Sequence, residues 1–498
     1  MKPFEMQPGI VSLPTKNASS GYWQDGNLVR WSGNKLMPIP GWSAIVGSFD
    51  SKPRRVLRHT ISDGRTYTFY LCRGHLYVDD TDLGITDVSP TPAIEVNTGV
   101  DGGWGDGTFG TGTYGTPRDP AERSSDVGNS YSLYSWGDNV LAMTNVDGRL
   151  LQWDPPAVGD PMNVFEEVVE APKGRCFVVT PERHVIIFNP IDNLTCYAWC
   201  DKEDLTNWEY ADVLSQAGFL PIEPYAKTIG AVRSSQGVYA FNEKVNILIT
   251  YRGAPYIYGH DALPESPAPL ASAAMIDSPV GTVWMAFNGF WAANGLSVAP
   301  IPCPLWSWID ENMDLAATKR LAHIVSIPSK SELWFFFSTG GDVTDRCVIW
   351  NYKDSWWSKA YLERSAGLGF QDDDKPIMTT DDTPYLHETS NSYADNDGPW
   401  LLSQSFSNDS GLLYLPPFKA DFTGNVDAVQ ARPEWTMQRS EEATEYTKSY
   451  ASRMSNGYMP MHVTGEVIRI RIKSNEPELN GPWSMGKCVL PFQPAGER

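Results

Sequence analysis

The sequence has little basic charge, few cysteines and no long apolar segment. It holds 39 Lys and Arg against 60 Asp and Glu, and the net charge of -21 excludes a surface built to neutralise nucleic-acid phosphates. Nowhere do about 18 consecutive apolar residues occur, as a membrane helix requires. The first ten residues also lack the apolar run of a signal peptide. We therefore expect a soluble protein, made in a cytosol and not inserted into a membrane.

Residue patterns typical of catalysis or metal binding are missing as well. The seven cysteines are scattered without a CxxC pair, which argues against a disulfide framework or a zinc site and indicates reduced thiols. The seven histidines form no HExxH or other ligand pair. No G-x-S-x-G elbow marks a serine nucleophile. We expect no enzymatic activity, no metal and no cofactor.

Clusters of acidic residues are the remaining candidates for catalytic groups. They occur at Asp79-Asp80, Asp372 to Asp374 and Asp381-Asp382, and paired carboxylates serve glycoside hydrolases. Each cluster lies at a turn signal, where solvated acids are common, and no sialidase-type box repeats. The run Asp395 to Gly398 has some character of a calcium loop, but Tyr393 stands where the first ligand belongs. A propeller glycosidase is thus the weakest reading.

The sequence is instead rich in glycine, proline and aromatic residues. Glycine occurs 42 times and proline 38 times, and aromatics make up 12% of the chain, a mixture typical of short strands joined by tight turns. A helical pattern is confined to a turn or two near Leu315 to Ala322. Seven hairpins follow one another, each with an apolar strand, a polar turn and a second strand: 65–79, 139–154, 184–200, 237–251, 281–294, 332–357 and 367–388. The chain is predicted to be all-β.

The spacing of these hairpins predicts a β-propeller. Most successive starts lie 35 to 53 residues apart, close to the length of a four-stranded blade. One blade cannot bury both faces, so blades stack around an axis and aromatics fill the wedges between them. We expect six to eight blades. A tandem of β-sandwiches would also give short alternating strands and remains the alternative.

The longest interval between successive hairpin starts, from residue 65 to residue 139, contains a Gly-rich insertion at 99–120. It carries Trp104, Phe109 and Tyr114 at five-residue spacing, and these aromatics have no apolar partner within the insertion. They need an external surface, so the insertion is our candidate for a channel or partner-docking loop; a surface insertion without a role is the alternative. A nucleotide-binding loop is disfavoured because the insertion has no GxxxxGK[ST] spacing and no Lys.

The repeat stops after residue 388, which divides the chain. We expect an N-terminal arm over 1–20, the propeller over 21–390 and a C-terminal β-rich platform or sandwich over 391–498. Within the last part, Val467 to Lys473 (VIRIRIK) alternates as a half-exposed strand does.

Several segments resemble the tail nozzle, or packaged-DNA stabilisation, proteins of short-tailed bacteriophages. The resemblance spans nearly the whole chain, and its most distinctive piece is W-x-D-G-N-L-V-R-W followed by P-G-W, within Gly21 to Trp42. The other matching segments are Thr195 to Val213, Val280 to Gly295, Cys347 to Ser358 and the closing 465–492.

The resemblance implies a virion protein with a propeller body, assembled in the host cytoplasm. Six copies would form a homo-oligomeric ring below the portal and adaptor, contact other tail proteins, and let genome DNA transit without specific binding. Because every Lys or Arg in the lumen would add a DNA contact, we expect an acidic channel wall, with Arg54, Arg55 and Arg58 on subunit contacts or outer faces. The alternative function is a carbohydrate-binding propeller on a virion or cell surface.

Overall fold

The structure of the chain is a computed structural model. The described residues are 4–12, 21–80, 84–96, 130–210, 214–224, 227–370, 375–393, 396–407, 411–437, 444–475 and 482–495.

Seven four-stranded antiparallel sheets form the larger part of the structure. We number them blades 1 to 7. Their strands, from the innermost outward, are Pro53–Thr60, Thr66–Cys72, Leu76–Asp80 and Gly84–Asp87 (blade 1); Tyr131–Trp136, Asn139–Thr144, Leu151–Trp153 and Glu166–Glu167 (blade 2); Cys176–Val179, Val185–Phe188, Cys196–Trp199 and Gly218–Pro221 (blade 3); Thr228–Ser234, Gly237–Asn242, Asn246–Gly253 and Ile257–Ala262 (blade 4); Met275–Ser278, Gly281–Ala286, Gly289–Asn294 and Ser297–Ile301 (blade 5); His323–Ile327, Glu332–Phe337, Arg346–Asn351 and Trp356–Ala360 (blade 6); Ala366–Leu368, Ile377–Thr379, Pro384–Ser390 and Gly41–Ala44 (blade 7).

The blades close into a ring, so the fold is a seven-bladed β-propeller. Each innermost strand contacts the innermost strand of the next blade, and that of blade 7 contacts that of blade 1. The outermost strand of blade 7 comes from the N-terminal side of the propeller, because Gly41–Ala44 pairs antiparallel with Pro384–Ser390. The prediction of an all-β propeller with six to eight blades is confirmed.

Flat side chains fill the wedges between blades, as the composition indicated. Trp153, for example, is fully buried between blades 1 and 2, with its ring centroid 4.9 Å from that of Phe69 and 5.3 Å from that of Tyr67. Burial of one such ring is worth roughly 1.5–3 kcal/mol, before the favourable edge-to-face geometry is counted.

The remaining strands form a second lobe of three sheets, which we call the platform. Its sheets consist of Phe4–Glu5, Trp483–Leu490, Lys35–Pro38, Val29–Ser32 and Ala420–Gly424; of Trp23–Asn27, Trp400–Ser403, Phe406–Ser407, Val467–Ser474, Val429–Thr436, Glu445–Thr447 and Ala451–Ser452; and of Val463–Gly465, Leu413–Leu415 and Gln493–Pro494. We expected residues 23–38 in the propeller, but Trp23–Asn27 pairs with Trp400–Ser403 and Lys35–Pro38 pairs with Trp483–Leu490, both of the platform. Apolar side chains of this segment join a cluster that the platform shares with blades 5 and 6.

The strand Val467–Ser474 alternates as expected. Ile468, Ile470 and Ile472 are buried, and the intervening charged residues are half-exposed; Val467 lies with the latter rather than with the isoleucines.

Two α-helices, Trp306–Asn312 and Leu315–Leu321, connect blades 5 and 6, and two short 3-10 turns lie at Pro328–Lys330 and Val426–Ala428. Asp314 caps the second helix by accepting from the amide of Ala317 at 2.9 Å. The helical pattern near 315–322 is therefore confirmed.

Candidate functional site

The residues expected to act as a docking element, Trp104, Phe109 and Tyr114, lie outside the described residues. The structure does place the two flanks of their segment. Val96 and Tyr131 line one small cavity at the edge of blades 1 and 2. The chain therefore leaves the propeller and returns to it at neighbouring points.

The motif that carries the family resemblance forms the junction between platform and propeller. Arg30, on the platform strand Val29–Ser32, reaches the propeller and binds two carboxylates. Its Nε lies 3.0 Å from Glu332 Oε1 of blade 6, and its Nη2 lies 2.5 Å from Glu388 Oε1 of blade 7. All three side chains are at most 7% exposed. The guanidinium thus ties the platform to two blades at once.

The charges in this triad stabilise one another against the cost of burial. Burial alone would lower the pKa of Arg30, but the two carboxylates outweigh it and raise the pKa. Glu388 is also buried, yet Arg30 and nearby lysines hold its pKa below the usual value. Glu332 differs, because burial dominates and raises its pKa despite Arg30. Removal of the cation would leave two carboxylates in a site that water does not reach.

A second set of contacts at the junction uses the same motif. The Asn27 amide donates to Asn396 Oδ1 at 2.7 Å and accepts from the backbone N–H of Tyr361 at 2.9 Å. Lys359 Nζ lies 3.2 Å from Asp25 Oδ1 and 4.0 Å above the ring of Trp308. The segment with calcium-loop character thus contributes Asn396 to the junction; Asp395 lies outside the described residues.

The P-G-W part of the motif closes blade 7. A Cβ on Gly41 would lie 1.8 Å from the carbonyl oxygen of Ser392, so only glycine fits there. Trp42 stacks on His387 with a centroid distance of 5.1 Å, and the Arg364 guanidinium lies 4.6 Å from the Trp42 ring. Arg364 Nε donates to His387 Nε2 at 2.8 Å. The buried side chains of Trp42, His387 and Arg364 therefore hold the strand that completes the ring.

The sequence alone did not single out Arg30, Glu332, Glu388, Arg364 or His387. The available signal was an arginine inside the apolar run LVRW, between residues that periodicity assigns to the core. Its acidic partners lie 302 and 358 residues away along the chain, so only the fold identifies them.

The described acidic clusters lie on different blades, Asp79 and Asp80 in blade 1 and Asp381 in blade 7. Asp79 and Asp80 are neighbours on one strand and so face opposite sides of the sheet. Asp381 instead pairs with Lys52 at 2.8 Å. Asp372 to Asp374 lie outside the described residues.

The cysteines are unreactive by environment. All seven are free, and only Cys303 is not fully buried. Burial raises the pKa of Cys176, Cys200 and Cys488 to about 12, so these thiols stay protonated. Among the described residues, no group of three or more His, Cys, Asp or Glu side chains could hold a metal ion.

Two arginines contradict the placement we expected. Arg54 and Arg55 lie on the innermost strand of blade 1, and Arg54 is 8% exposed. Arg55 crosses the axis: its Nε donates to the carbonyl of Tyr131 in blade 2, and its Nη2 donates to that of Ser272 beside blade 5, both at 3.1 Å. Arg58 is exposed, with its guanidinium 5.0 Å from the ring of Phe370. The prediction is wrong for Arg54, which is buried, and for Arg55, which is half-buried, because the closed ring of blades places both side chains inside the subunit.

A surface groove lies on the outer part of blade 3. It is lined by the aromatic side chains Trp208, Tyr210 and Phe219 and by the polar residues Asp192 and Asn193. Tyr210 is 68% exposed and packs edge-on against Phe219 at 5.0 Å. This groove has the aromatic and polar groups that a sugar ring requires.

In the part of the chain that the structure describes, none of the helices has the length and apolar character to cross a membrane.

Comparison with family models gives no match, and comparison with curated proteins gives none either. Solved structures give distant likenesses. PorZ, a surface component of the type-IX secretion system of Porphyromonas gingivalis, is 8% identical over 82% of this chain, with a TM-score of 0.36, and the chain spans 46% of its length. A streptogramin B lyase is 13% identical over 69% of this chain and 99% of its own, with a TM-score of 0.37. A fungal alcohol oxidase of the AA5 family is 10% identical over 98% of both chains, with a TM-score of 0.38. Similarities with such low identities and TM-scores do not indicate an activity for this chain. The assignment as a propeller rests on the closed ring of seven sheets.

Proposed function

We propose that this chain is a structural protein of a phage tail, one subunit of a nozzle ring that retains the packaged genome and lets it exit. The observation that supports this most is the use of Gly21 to Trp42, the most distinctive piece of the resemblance. That segment ties platform to propeller through Arg30 and closes the ring through Trp42. A subunit that lines a pressurised conduit needs two lobes fixed in this way.

The proposal includes the absence of catalysis. In the described ranges, the buried ionisable groups at the junction bind one another and the backbone, as Arg30, Glu332 and Glu388 do. Networks of buried ion pairs of this kind maintain structure. The protein would act through its shape and charge.

The genome channel in this proposal lies between subunits. The axis of a single propeller is not free for DNA, because Arg55 bridges blades 1 and 5 across it. Six copies around a common axis would supply a wider passage, and the net charge of -21 per chain favours a wall that repels DNA.

Ring formation is the first test. We expect the purified chain to be monomeric, because its charge opposes unprogrammed association, and to form a six-copy ring when mixed with the portal and adaptor proteins of the same phage. Mass photometry and negative-stain imaging report both states. A single copy per assembly, or no binding to the adaptor, would contradict the nozzle proposal.

Deletion of Gly102 to Gly115 is the second test. Because Val96 and Tyr131 are neighbours, the shorter connection still closes, and we expect the melting temperature to change by less than about 2 °C. Particles that carry the deletion are expected to leak DNA or to fail in assembly, as measured by nuclease-sensitive DNA per particle.

The triple variant W104A/F109A/Y114A keeps the length of the segment and removes only its aromatic side chains. A defect in both variants assigns the role to the aromatics. Particles of the deletion variant that retain their genome and infect normally would show that the segment has no such role.

The groove on blade 3 favours a second candidate, a carbohydrate-binding propeller. If it acts in this way, the purified chain binds a glycan as a monomer, and Tyr210→Ala weakens that binding at least tenfold. Tyr256→Ala is the matched control, since Tyr256 is 76% exposed on blade 4, away from the groove. Glycan-array binding without ring formation would favour this candidate over the nozzle.

A further inference from the structure

A cavity of about 180 Å³ lies near the axis of the propeller, between the inner parts of blades 1 to 5. It is distinct from the junction and from the groove on blade 3. A single water occupies about 30 Å³ of liquid, so the cavity has room for several waters or for one small ligand. Its walls combine apolar side chains with a small set of polar groups.

Among the described residues that line the cavity, Arg55 alone carries a charge. Two of its nitrogens donate to the carbonyls of Tyr131 and Ser272, which fixes the guanidinium in place. Burial lowers the pKa of Arg55, with no carboxylate among the groups that act on it. An arginine nevertheless stays protonated in proteins. The cavity therefore holds a fixed positive charge.

The charge on Arg55 contrasts with that on two buried arginines of the fold. Arg30 has two carboxylates within hydrogen-bond distance, and Arg149 binds Asp147 at 2.6 Å. Among the described residues that line the axial cavity there is no Asp or Glu. The guanidinium of Arg55 is half-buried and has no carboxylate among the groups that act on it, so a bound anion would supply the missing opposite charge.

Hydroxyl groups complete the wall. Ser130, Ser132, Tyr134 and Ser272 line the cavity beside Arg55. Tyr134 Oη donates to the carbonyl of Ala231 at 3.3 Å, and Ser130 Oγ donates to that of Arg175 at 2.8 Å. Ser132 Oγ accepts from the amide of Phe177 at 3.4 Å, so its own proton can be donated to a ligand in the cavity. A guanidinium beside a hydroxyl donor suits an oxyanion, because the anion can accept a charge-assisted hydrogen bond from the guanidinium and a second one from the hydroxyl.

We propose that the axial cavity is a binding site for a small oxyanion, inorganic phosphate or a small carboxylate, held by Arg55. The bound anion would neutralise Arg55 and connect the inner strands of blades 1, 2 and 5. This inference does not depend on the tail function, since it concerns one propeller.

The test is calorimetric titration of the purified chain with sodium phosphate, sulfate and acetate in a zwitterionic buffer without added salt. We expect one site per chain, and a melting temperature that rises by about 1–2 °C at saturating phosphate. Arg55→Met is expected to weaken phosphate binding about 10- to 100-fold and to abolish the thermal response. Arg58→Met is the matched control on the same strand and keeps both.

Two outcomes would overturn the proposal. One is a wild-type chain that shows neither binding nor a thermal response to any of the three anions. The other is an Arg55→Met variant that binds phosphate as the wild type does, which would place the anion elsewhere.

If Arg55→Met does not fold, crystals of the wild-type chain soaked in selenate provide the second measurement. Anomalous density is expected within hydrogen-bond distance of Arg55 Nη1, the guanidinium nitrogen not used by Tyr131 or Ser272. An axial cavity without such density overturns the assignment. Density there from selenate, with phosphate and acetate giving no calorimetric signal, would mean an adventitious ion only and would equally refute a phosphate or carboxylate site.

Discussion

Replacement of Arg30 by methionine is expected to lower the free energy of unfolding by about 3–5 kcal/mol. The variant keeps most of the apolar stem but leaves Glu332 and Glu388 without their cation. These carboxylates are 2% and 7% exposed, so water cannot take the place of the guanidinium. Because the platform and propeller meet at this triad, we expect the loss in the first unfolding transition measured in urea.

Two controls separate the lost pairing from general damage to the fold. Lys487→Met breaks an exposed ion pair, with side chains 60% and 50% exposed, and is expected to cost under about 1 kcal/mol. The triple variant R30M/E332Q/E388Q also replaces both buried carboxylates by neutral amides. It is expected to recover most of the stability lost in Arg30→Met. If Arg30→Met costs no more than Lys487→Met, the triad does not fix the lobes.

The sequence predicted the middle of every blade. Each of the seven hairpins contributes the second and third strands of a blade, or in blade 7 the first three. These strands are covered on both faces by neighbouring blades, so they are rich in apolar residues; all six residues of Glu332–Phe337 are buried. Inner and outer strands are more polar or very short, as Glu166–Glu167 is, and periodicity gives a weak signal for them.

Ring closure and the lobe junction could not be predicted from local pattern. The outermost strand of blade 7 and the platform strand Trp23–Asn27 pair with segments from the far end of the chain. Short-range periodicity cannot identify strand pairs between the two ends of the chain. It shows only whether each residue of the motif is apolar or polar, and not which residue it contacts. The same limit explains the error on Arg54 and Arg55, since strand polarity does not tell solvent from an axial cavity.

Acidification from pH 7.5 to pH 5 is expected to destabilise the fold through two buried histidines, by about 2 kcal/mol for each. Burial lowers the pKa of His323 to about 3, and its Nδ1 donates to the carbonyl of Leu321 at 3.2 Å. Burial and the adjacent Arg364 hold the pKa of His387 well below its usual value. His387 Nε2 accepts from Arg364, so a proton there would face a guanidinium.

The sign follows from proton binding. In the unfolded chain both imidazoles take up protons below about pH 6.5, whereas the folded chain keeps them neutral, so the unfolded state binds more protons and gains stability as the pH falls. Glu332 and Asp277, whose pKa values burial raises, act in the opposite direction, and the histidines are therefore isolated by substitution. The measurement is urea unfolding at pH 7.5 and at pH 5. The double variant with His323→Phe and His387→Gln is expected to lose about 4 kcal/mol less stability on acidification than the wild type. Glutamine is chosen at position 387 because its amide oxygen still offers Arg364 an acceptor. His462→Gln, at an exposed position, is expected to leave the loss unchanged. An acid-induced loss of equal size in the double variant would exclude these two histidines as its source.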